Sequence, residues 1–449
     1  MSVNRRNLIA ASLGLGAVAA TATKAAATQV NVIAIGDLTG LVPNADVDQT
    51  AILQLAIDAA ADRQVPLVLP SGTIRVRDLR LRAGTRLIGA SRTSILQFAG
   101  GDAFVTAEKA DGLTIESVVF DGAFQAFNDA RGEGLVNIFN SRGITIDDVG
   151  IRHSAKGALS LTACSGRVTS SRIDDALDFG IKSLDAKGLD ISANAISDCG
   201  NNGILVWRSE KGEDGSTVTG NRVYRIRNGA GGSGEYGNGI NVYRADSVIV
   251  ANNRVSDCAY TAIRGNAASN IQIIANSCER LGEVAIYSEF GFEGALIANN
   301  IVDTAATGIS VTNFNEGGRL AVIQGNLIRN LFRREQEAED KRGEGIGVEA
   351  DAVVSGNTVE GAPTVGIQIG WGAYMRDVAV TGNVVRNSKV GITITDAKDA
   401  GACLIANNMI SKVRDGAIRR MHLGVLSGPD LSRESSNDER VTVTGNVSV

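Results

Sequence analysis

Short alternating runs of apolar and polar residues, separated by Gly and Asn, recur along most of the chain. Residues 378–395 (VAVTGNVVRNSKVGITIT) show the unit most clearly: an alternating run, a turn at Gly382 and Asn383, a second run, a loop and a third run. Alternation with a period of two, interrupted by Gly and Asn, is typical of strands joined by tight turns. The pattern therefore predicts three short strands in each repeated unit.

Two columns of residues set the period of this repeat. The first is a turn Asn, at Asn194, Asn221, Asn253, Asn276, Asn300, Asn326, Asn357, Asn383, Asn408 and Asn446. The second is an aliphatic residue, mostly after Gly, at Leu159, Ile181, Ile204, Ile240, Ile263, Ile286, Ile309, Ile346, Ile367, Ile392 and Ile418. Seven of the nine gaps from an Asn to the next aliphatic are 9 or 10 residues, and the other two are 19 and 20. This regularity predicts stacked coils, each burying its apolar face against its neighbours.

The turn Asn column is predicted to be structural. Asn tolerates the left-handed backbone conformation, and stacked amides can bond from coil to coil, each bond contributing about 0.5–1.5 kcal/mol net. Val118, Val149 and Ser171 stand in this column in the early coils. We therefore expect the column Asn residues in turns and not as ligands.

The repeat resembles the right-handed parallel β-helix of the pectate-lyase-like superfamily, and more narrowly the twin-arginine-translocated β-helix repeat proteins of bacteria. The resemblance implies an all-β fold, a single-stranded right-handed parallel β-helix of about 13 coils over residues 79–449. The motifs of a pectate lyase, a polygalacturonase or a mannuronan epimerase are not recognisable in this sequence. The resemblance therefore implies the fold and leaves the reaction open.

Residues 28–78 are predicted to cap the solenoid and form its first coil. The sequence DVDQTAILQLAIDAAAD predicts a helix over about residues 48–62, with Asp46 or Asp48 as its N-cap. The predicted buried face of this helix consists of Ile52, Leu55, Ala56 and Ala59. The resemblance implies that the helix plugs the first coil, since an open end would expose unpaired strand groups.

Residues 1–27 are predicted to be an export signal. Arg5 and Arg6 precede an apolar run at 8–22, and three alanines end the segment. The paired arginines resemble a Tat-type signal, from which Asn4 departs, and a Sec signal is the alternative. No later segment is long and apolar enough to span a bilayer. The expected location is periplasmic or secreted, after export of the folded protein by the Tat pathway.

Charge and composition exclude several classes of partner. Removing the three basic residues of the signal from 44 leaves 41 against 49 acidic residues, a net charge of −8. Such a surface does not favour nucleic acid. With only two histidines and no C-x-x-C motif, the sequence predicts neither a metal site nor a cofactor. Asp174, Asp175 and Asp178 could contact Ca²⁺, but acidic turn residues are the commoner interpretation.

The five cysteines are predicted to be buried thiols. They are Cys164, Cys199, Cys258, Cys278 and Cys403. Cys199 and Cys258 share a column, but one coil lies between them, which separates them by roughly 10 Å. That separation is beyond the reach of a disulfide.

The outward residues of the Gly-Ile-x-Val strands form the predicted ligand surface, because side chains alternate across a strand. Its middle holds Lys182, Trp207, Asn241, Tyr243, Arg264, Tyr287 and Glu289. Aromatic rings among charged and amide groups suit a sugar polymer. Large residues that merely cover the sheet are the alternative. We expect one continuous exposed patch of Trp207, Tyr243, Arg264, Tyr287 and Glu289. Arg264, Glu289 and Lys182 are the catalytic candidates, and Trp207, Asn241, Tyr243 and Tyr287 are the predicted ligand-binding residues.

Three inserted loops precede these strands, at residues 120–134, 228–238 and 332–344. They should emerge at one edge of the same strand column, where such loops wall the cleft in related β-helix proteins. Glu235 and Tyr236 of the second loop are predicted to reach the ligand. The third loop is highly charged, and a solvated loop is its alternative interpretation. Insertions at 209–216 and 427–440 follow the strands, and the latter is expected to cap the C-terminal coil.

Two chemistries remain open for this surface. A lyase needs a base beside a group that neutralises a uronate, but Arg264 and Lys182 lie three coils apart, roughly 14 Å. A hydrolase needs two carboxylates, and Glu289 and Glu349 lie two coils apart, about 10 Å. We expect a carbohydrate-active protein whose partner is an acidic polysaccharide. A non-catalytic glycan-binding protein and a structural or assembly protein are the alternatives, and the sequence does not give the oligomeric state.

Overall fold

Three long parallel sheets form the protein, as seen in a computed structural model. The structure describes residues 33–34 and 40–449, apart from 91, 128–131, 335–342 and 435–437. The predicted signal at 1–27 lies outside these residues. Val32–Val449 forms one compact unit.

Each coil contributes one strand to each sheet. Sheet I comprises Ile33–Ala34, Leu67–Val68, Arg86–Ile88, Thr114–Glu116, Ile144–Asp147, Gly166–Thr169, Leu189–Ser192, Thr217–Thr219, Ile249–Ala251, Ile271–Ile274, Glu293–Ala298, Arg319–Gln324, Ala350–Ser355, Arg376–Thr381, Cys403–Ala406 and Val441–Thr444. Sheet II, after the Asn turn, comprises Gly72–Val76, Ser94–Phe98, Val118–Asp121, Gly150–Ser154, Arg172–Ala176, Ala195–Ser197, Arg222–Ile226, Arg254–Cys258, Ser277–Leu281, Ile301–Asp303, Leu327–Arg329, Thr358–Glu360, Val384–Arg386, Met409–Ser411 and Val447–Ser448. Sheet III, with the Gly-Ile-x-Val strands, comprises Leu79–Leu81, Val105–Glu108, Gly134–Phe139, Gly157–Thr162, Phe179–Leu184, Asn202–Glu213, Asn238–Asp246, Ile263–Asn266, Val284–Glu289, Thr307–Val311, Glu344–Val348, Val365–Ile369, Val390–Thr395, Ile418–His422 and Val425–Asp430.

Strands pair with their counterparts one coil away in the register that the aliphatic column predicts. Ile240 pairs with Ile263, and Ile263 with Ile286, in parallel alignment. All three side chains are fully buried, so each coil completes the core of the next. The predicted all-β solenoid of about 13 coils is confirmed.

The turn asparagines form a continuous hydrogen-bonded ladder inside the turns. The backbone N–H and the side-chain Nδ2 of Asn253 both donate to Oδ1 of Asn276, at 2.9 and 3.0 Å. Asn276 makes the same two bonds to Asn300. The expected left-handed conformation was wrong for the ladder Asn itself. The residue before it adopts that conformation, as at Asn252 and Ala275, because the ladder side chain must point into the turn.

A ladder of ion pairs follows the outer edge of sheet II. Arg225 binds Asp198 at 2.5 Å, and Arg280 binds Asp257 at 2.7 Å. The hydrogen bonds from these guanidinium groups lower the pKa of both carboxyls. Exposed pairs of this kind contribute about 0–1 kcal/mol each. The positive charge of many surface arginines is thus paired with a carboxylate on a neighbouring coil.

The predicted N-terminal helix is present at Thr50–Asp62 and contacts the strands of the first coil. Its predicted buried face was wrong except at Ala56. The buried residues are Leu53, Ala56, Ile57, Ala60 and Ala61, whereas Leu55 is 71% exposed. The N-cap is Gln49, not Asp46 or Asp48. Asp48 still accepts a bond from the N–H of Thr50 at 2.9 Å, so the acidic residue acts one position before the cap.

The five cysteines are buried and unpaired. Ile226 pairs with Cys258, and the N–H of the next residue, Arg227, bonds the carbonyl of Cys199. This register agrees with the coil predicted between Cys199 and Cys258. At the other end of the chain, Val425–Asp430 pairs antiparallel with Ile418–His422 as the last strand of sheet III. In the part of the chain that the structure describes, no helix has the length and apolarity to span a bilayer.

Candidate functional site

The outer face of sheet III brings most of the predicted ligand residues onto adjacent strands. One column runs through Lys182, Leu205, Asn241, Arg264 and Tyr287, and the next through Leu184, Trp207, Tyr243, Asn266 and Glu289. Neighbouring strands in a sheet lie about 4.8 Å apart. The two columns therefore form a compact surface across five coils.

Aromatic rings occupy the centre of this surface. Trp207 meets Tyr243 edge to face, with ring centroids 5.9 Å apart. The Lys182 ammonium lies 5.3 Å from the Trp207 ring centroid, and the Arg244 guanidinium 4.9 Å from that of Tyr243. Rings with cations against them present flat apolar faces beside positive charge.

Arg264 and Glu289 form a buried ion pair beside the rings. The Nε of Arg264 donates to Oε1 of Glu289 at 2.5 Å, and Nδ2 of Asn266 donates to the same oxygen at 3.0 Å. Burial raises the pKa of Glu289, while Arg264 opposes that shift. The expectation of a fully exposed patch was wrong here, because Glu289 is only 3% exposed. The Arg264 guanidinium also lies 5.6 Å from the ring centroid of Tyr287.

Asn241 is likewise buried, at 5% exposure, although its column faces outward. Its Oδ1 is buried without a hydrogen-bond partner among the described residues, and so is Nε1 of Trp207. Leaving a buried polar atom unsatisfied costs about 1–3 kcal/mol. Such costs are retained most often at functional sites.

Described residues of all three inserted loops contact one edge of this surface, the edge at which the loops were predicted to emerge. Glu133 of the first loop pairs with Lys182. The carbonyl of Gly234 in the second loop accepts a bond from Arg264. Arg334 of the third loop lies 3.5 Å from Glu283, in the turn before the Val284–Glu289 strand. The described residues of the three loops thus form one bank of a groove along the outer face of sheet III.

Glu235 and Tyr236 lie in the second loop, above Arg264. Glu235 is exposed and Tyr236 is half-buried. Hydrogen bonds from the backbone N–H groups of Glu235 and Ser233 lower the pKa of the Glu235 carboxyl. The carboxylate therefore helps to fold its own loop.

A second bank, which the sequence reasoning missed, consists of Arg208, Lys211 and Arg244. The pairing of Asn202–Glu213 with Asn238–Asp246 is interrupted between Trp207 and Gly212, so the intervening residues bulge outward. Lys211 Nζ reaches the carbonyl of Gly291, three coils on. Arg244 Nη1 donates to the carbonyl of Ser209 at 3.1 Å. The insertion at 209–216 was the available signal, but its length alone did not show that it folds back along the groove.

These three cations differ from most of the arginines on the surface. Among the residues that the structure describes, Arg208, Lys211 and Arg244 form no ion pair with a carboxylate. Arg208 donates instead to the carbonyls of Glu210 and Ala186, both at 3.3 Å. Three cations without an ion-pair partner among the described residues, beside two aromatic rings, make the groove attractive to an anionic ligand.

Of the other candidates for catalysis, Lys182 lies far from Arg264, and the carboxylate of Glu349 is already hydrogen-bonded. The register places Lys182 three coils from Arg264. Oε2 of Glu349 accepts a hydrogen bond from the N–H of Phe314 at 2.7 Å. This bond fixes the loop that contains Phe314. It also occupies the carboxylate that a hydrolase mechanism would pair with Glu289. Burial raises the pKa of Glu349.

Two of the three aspartates named as possible calcium ligands are engaged elsewhere. Asp178 accepts a bond from Asn201 at 2.8 Å, and Asp174 lies 3.8 Å from Arg172. In the described ranges, no group of three or more His, Cys, Asp or Glu side chains is arranged to hold a metal ion.

Comparison with known proteins identifies the fold. Residues 211–385 match the family model described as right handed beta helix region, and no curated protein sequence matches the chain. The pre-mature gene product 12 of bacteriophage phi29 aligns at a TM-score of 0.53 and 14% identity, over 87% of this chain and 55% of that one. This chain thus spans about half the length of the phage protein.

Two further structures are similar at lower TM-scores. The catalytic unit of an alpha-1,3-glucanase from Streptomyces thermodiastaticus has a TM-score of 0.48 and 15% identity, over 93% of this chain and 68% of that one. PfbA, a surface adhesin of Streptococcus pneumoniae, has a TM-score of 0.48 and 16% identity, over 88% of this chain and 94% of that one. The family match over residues 211–385 and the three parallel sheets agree on a right-handed parallel β-helix fold.

Proposed function

We propose that the protein binds an acidic polysaccharide in the groove on the outer face of sheet III. The observation that carries this proposal is the bank of Arg208, Lys211 and Arg244, three cations without carboxylate partners beside Trp207 and Tyr243. Pyranose faces stack on aromatic rings, and guanidinium groups bind carboxylates in a forked geometry. Neutral sugars would use the rings alone.

The length of the groove fits an oligosaccharide. Its aromatic and charged residues lie on the coils of Ile204, Ile240, Ile263 and Ile286. Three coil spacings of about 4.8 Å give roughly 14 Å, which matches a few sugar rings. Asn241, Tyr236 and Glu235 would contact the chain from the loop side, and Tyr287 would contact its end.

Binding is tested by neutralising the cationic bank. The triple variant Arg208→Gln, Lys211→Gln and Arg244→Gln should bind a polyuronate at least tenfold more weakly, a loss of about 1.4 kcal/mol or more. It should bind a neutral glucan as the parent does. The matched control removes three exposed lysines remote from the groove: Lys109, Lys398 and Lys412. Equal weakening by both triple variants would show a non-specific charge effect and contradict the proposal.

Catalysis in the same groove is the second candidate, favoured by the buried acid Glu289. A carboxylic acid with a raised pKa can protonate a leaving oxygen, and Arg264 or Lys182 can hold a uronate carboxylate. Chain cleavage would appear as new reducing ends from a polysaccharide panel. Glu289→Gln should then remove turnover while the Trp207 site still binds. Binding without product from any member would leave a glycan-binding protein.

We also propose that the protein is exported by the Tat pathway to the periplasm or beyond. The support is the Arg5-Arg6 pair before an apolar run and the alanine-rich segment that follows it. Replacing both arginines by lysine should retain the full-length chain in the cytoplasm. Unchanged export would indicate a Sec signal instead.

A further inference from the structure

The outward-facing residues of sheet I change along the solenoid axis from partly charged to uncharged. In the early coils its outward positions include Arg86, Glu116, Asp147, Arg167 and Asp190. From the Thr217–Thr219 strand onward, neither outward column of this sheet contains a charged residue. The first column runs Thr217, Ile249, Gln272, Leu296, Val322, Val353, Ala379, Leu404 and Thr442. The second runs Thr219, Ala251, Ile274, Ala298, Gln324, Ser355, Thr381, Ala406 and Thr444.

The same change occurs across the Asn turn. The outer column of sheet II has Arg172, Arg222 and Arg254 in the early coils. It then continues as Ile301, Leu327, Thr358, Val384, Met409 and Val447. The turn tips between the two sheets are Asn299, Gly325, Gly356, Gly382, Asn407 and Gly445. Four columns in each of the last six coils give 24 positions, all within the described residues, and none is charged.

We call these 24 positions the uncharged strip. Its larger side chains are open to solvent: Val353 is 40% exposed, Leu404 38% and Met409 48%. In a chain with 21% charged residues, an outward face of this size without charge is unexpected for a surface that stays in water.

Charges resume immediately beyond both edges of the strip, and several of them are paired with each other. On the sheet I side, Asp351 binds Arg376 at 2.6 Å and Arg319 at 3.1 Å. On the sheet II side, Arg329 binds Asp303 at 2.8 Å. An uncharged face bounded by charged residues is an arrangement found at protein interfaces, whose cores are depleted in charge.

We propose that the uncharged strip is the contact surface between two copies of this chain. A second copy brings the same uncharged face, so neither partner must bury an unpaired charge. It also brings the same strand spacing of about 4.8 Å, so the part of the strip on sheet I can pack against sheet I of the second copy at about 10 Å. A twofold axis between identical patches closes the assembly as a dimer.

The area of the strip sets the strength of this contact. Six coils and about 16 Å of width give roughly 400 Å², within the range of apolar patches that mark interaction sites. Stable interfaces bury about 800 Å² per partner. The rim and the three earlier coils of sheet I must supply the rest. We therefore expect a reversible dimer with a dissociation constant on the order of micromolar.

Sedimentation of the full chain over a range of concentrations tests the proposal. The parent should change from monomer to dimer as its concentration rises. The double variant Val353→Lys and Leu404→Lys should weaken the dimer at least tenfold. Thr114→Lys with Thr145→Lys, in the same column of the charged half, should leave it unchanged. A parent that stays monomeric at about 100 µM would overturn the proposal, as would a dimer that the strip variants do not weaken.

A second variant keeps the test decisive if the lysine variants fold poorly. Val322 lies in the second of the six coils of the strip, and the native cysteines are buried. Val322→Cys should therefore be cross-linked between copies by a short bifunctional maleimide. Thr145→Cys should not be. Equal cross-linking of both, or of neither in a dimeric sample, would place the contact elsewhere.

Discussion

Trp207 is the residue on which stacking in the groove depends most. Its ring lies edge to face with Tyr243 and under the ammonium of Lys182. Trp207→Ala should weaken binding of an acidic oligosaccharide by about 1–3 kcal/mol, since a stacking ring is lost from a partly exposed site. Titration calorimetry measures this change. The other tryptophan is the matched control: Trp371→Ala, outside the groove, should bind like the parent, and equal losses in both would contradict the assignment.

Asn276 contributes to the folding stability of the protein and not to ligand binding. Its Oδ1 accepts two bonds from Asn253, and its Nδ2 donates to the carbonyl of Val250 at 3.0 Å. Asn276→Ala should cost about 2–4 kcal/mol of unfolding free energy, because buried donors lose their acceptor. Urea denaturation gives the value. Asn446→Ala, at the partly exposed end of the ladder, should cost clearly less, and similar losses at both sites would refute a buried ladder.

Glu349 should make stability depend on pH in an unusual direction. Burial raises its pKa in the folded state, so its contribution is fully present below the unfolded value of about 4.3 and declines as pH rises through the folded pKa. The parent should therefore lose stability relative to Glu349→Gln as pH rises above about 4.

Asp198 provides the opposite case, because the hydrogen bond from Arg225 lowers its pKa. The parent should lose stability relative to Asp198→Asn as pH falls below about 4. Denaturation curves of the parent and both variants across pH measure the two effects. Curves that run parallel at every pH would contradict both assignments.

At the residue scale, the sequence predicted which side chains share the groove but not how far they are buried. Strand alternation placed Trp207, Tyr243 and Arg264 on the outer face correctly. It could not show that the carbonyl of Gly234 would cover Arg264, because loop conformation does not follow from period-two patterning. The residue with the left-handed backbone conformation was missed for a related reason. The sequence pattern marks the turn but does not show which of its residues has a positive φ.

The loop at 228–238 is the element that positions Arg264. Gly234 has φ +139, and a Cβ there would lie 2.5 Å from Nη1 of Arg264. Gly234→Ala should displace the guanidinium and weaken polyuronate binding by about tenfold, or ~1.4 kcal/mol. Gly231→Ala is the control, since φ is +78 but no atom lies within 4 Å. Both variants strain the backbone, so only a difference between them reports on Arg264; equal affinities would show that the loop is not part of the site.

Elements with a strict period were predicted better than those that depend on packing. The Asn and aliphatic columns gave the strand order, since each coil must repeat its neighbour. The helix Thr50–Asp62 was placed within two residues, but its buried face was wrong. A run rich in alanine has several nearly equivalent apolar faces, and the first coil selects one by shape.

At the scale of the whole molecule, the two proposed functions, ligand binding and dimerisation, lie on different faces of the solenoid. The groove on sheet III concentrates unpaired cations and rings, whereas the strip on sheets I and II excludes charge. The fold permits this because the outward positions of a solenoid can vary without changing its core. Dimerisation through the strip would leave the groove open, so loss of one activity should not cause loss of the other.

The crystal structure of the protein with a bound acidic oligosaccharide tests the central claim most directly. We predict sugar rings stacked on Trp207 and Tyr243, with carboxylates within about 3.2 Å of the guanidinium groups of Arg208 or Arg244. The oligosaccharide should lie along the solenoid axis, between the loop bank and the cationic bank. An oligosaccharide bound on another face, or an empty groove at saturating concentration, would contradict the account.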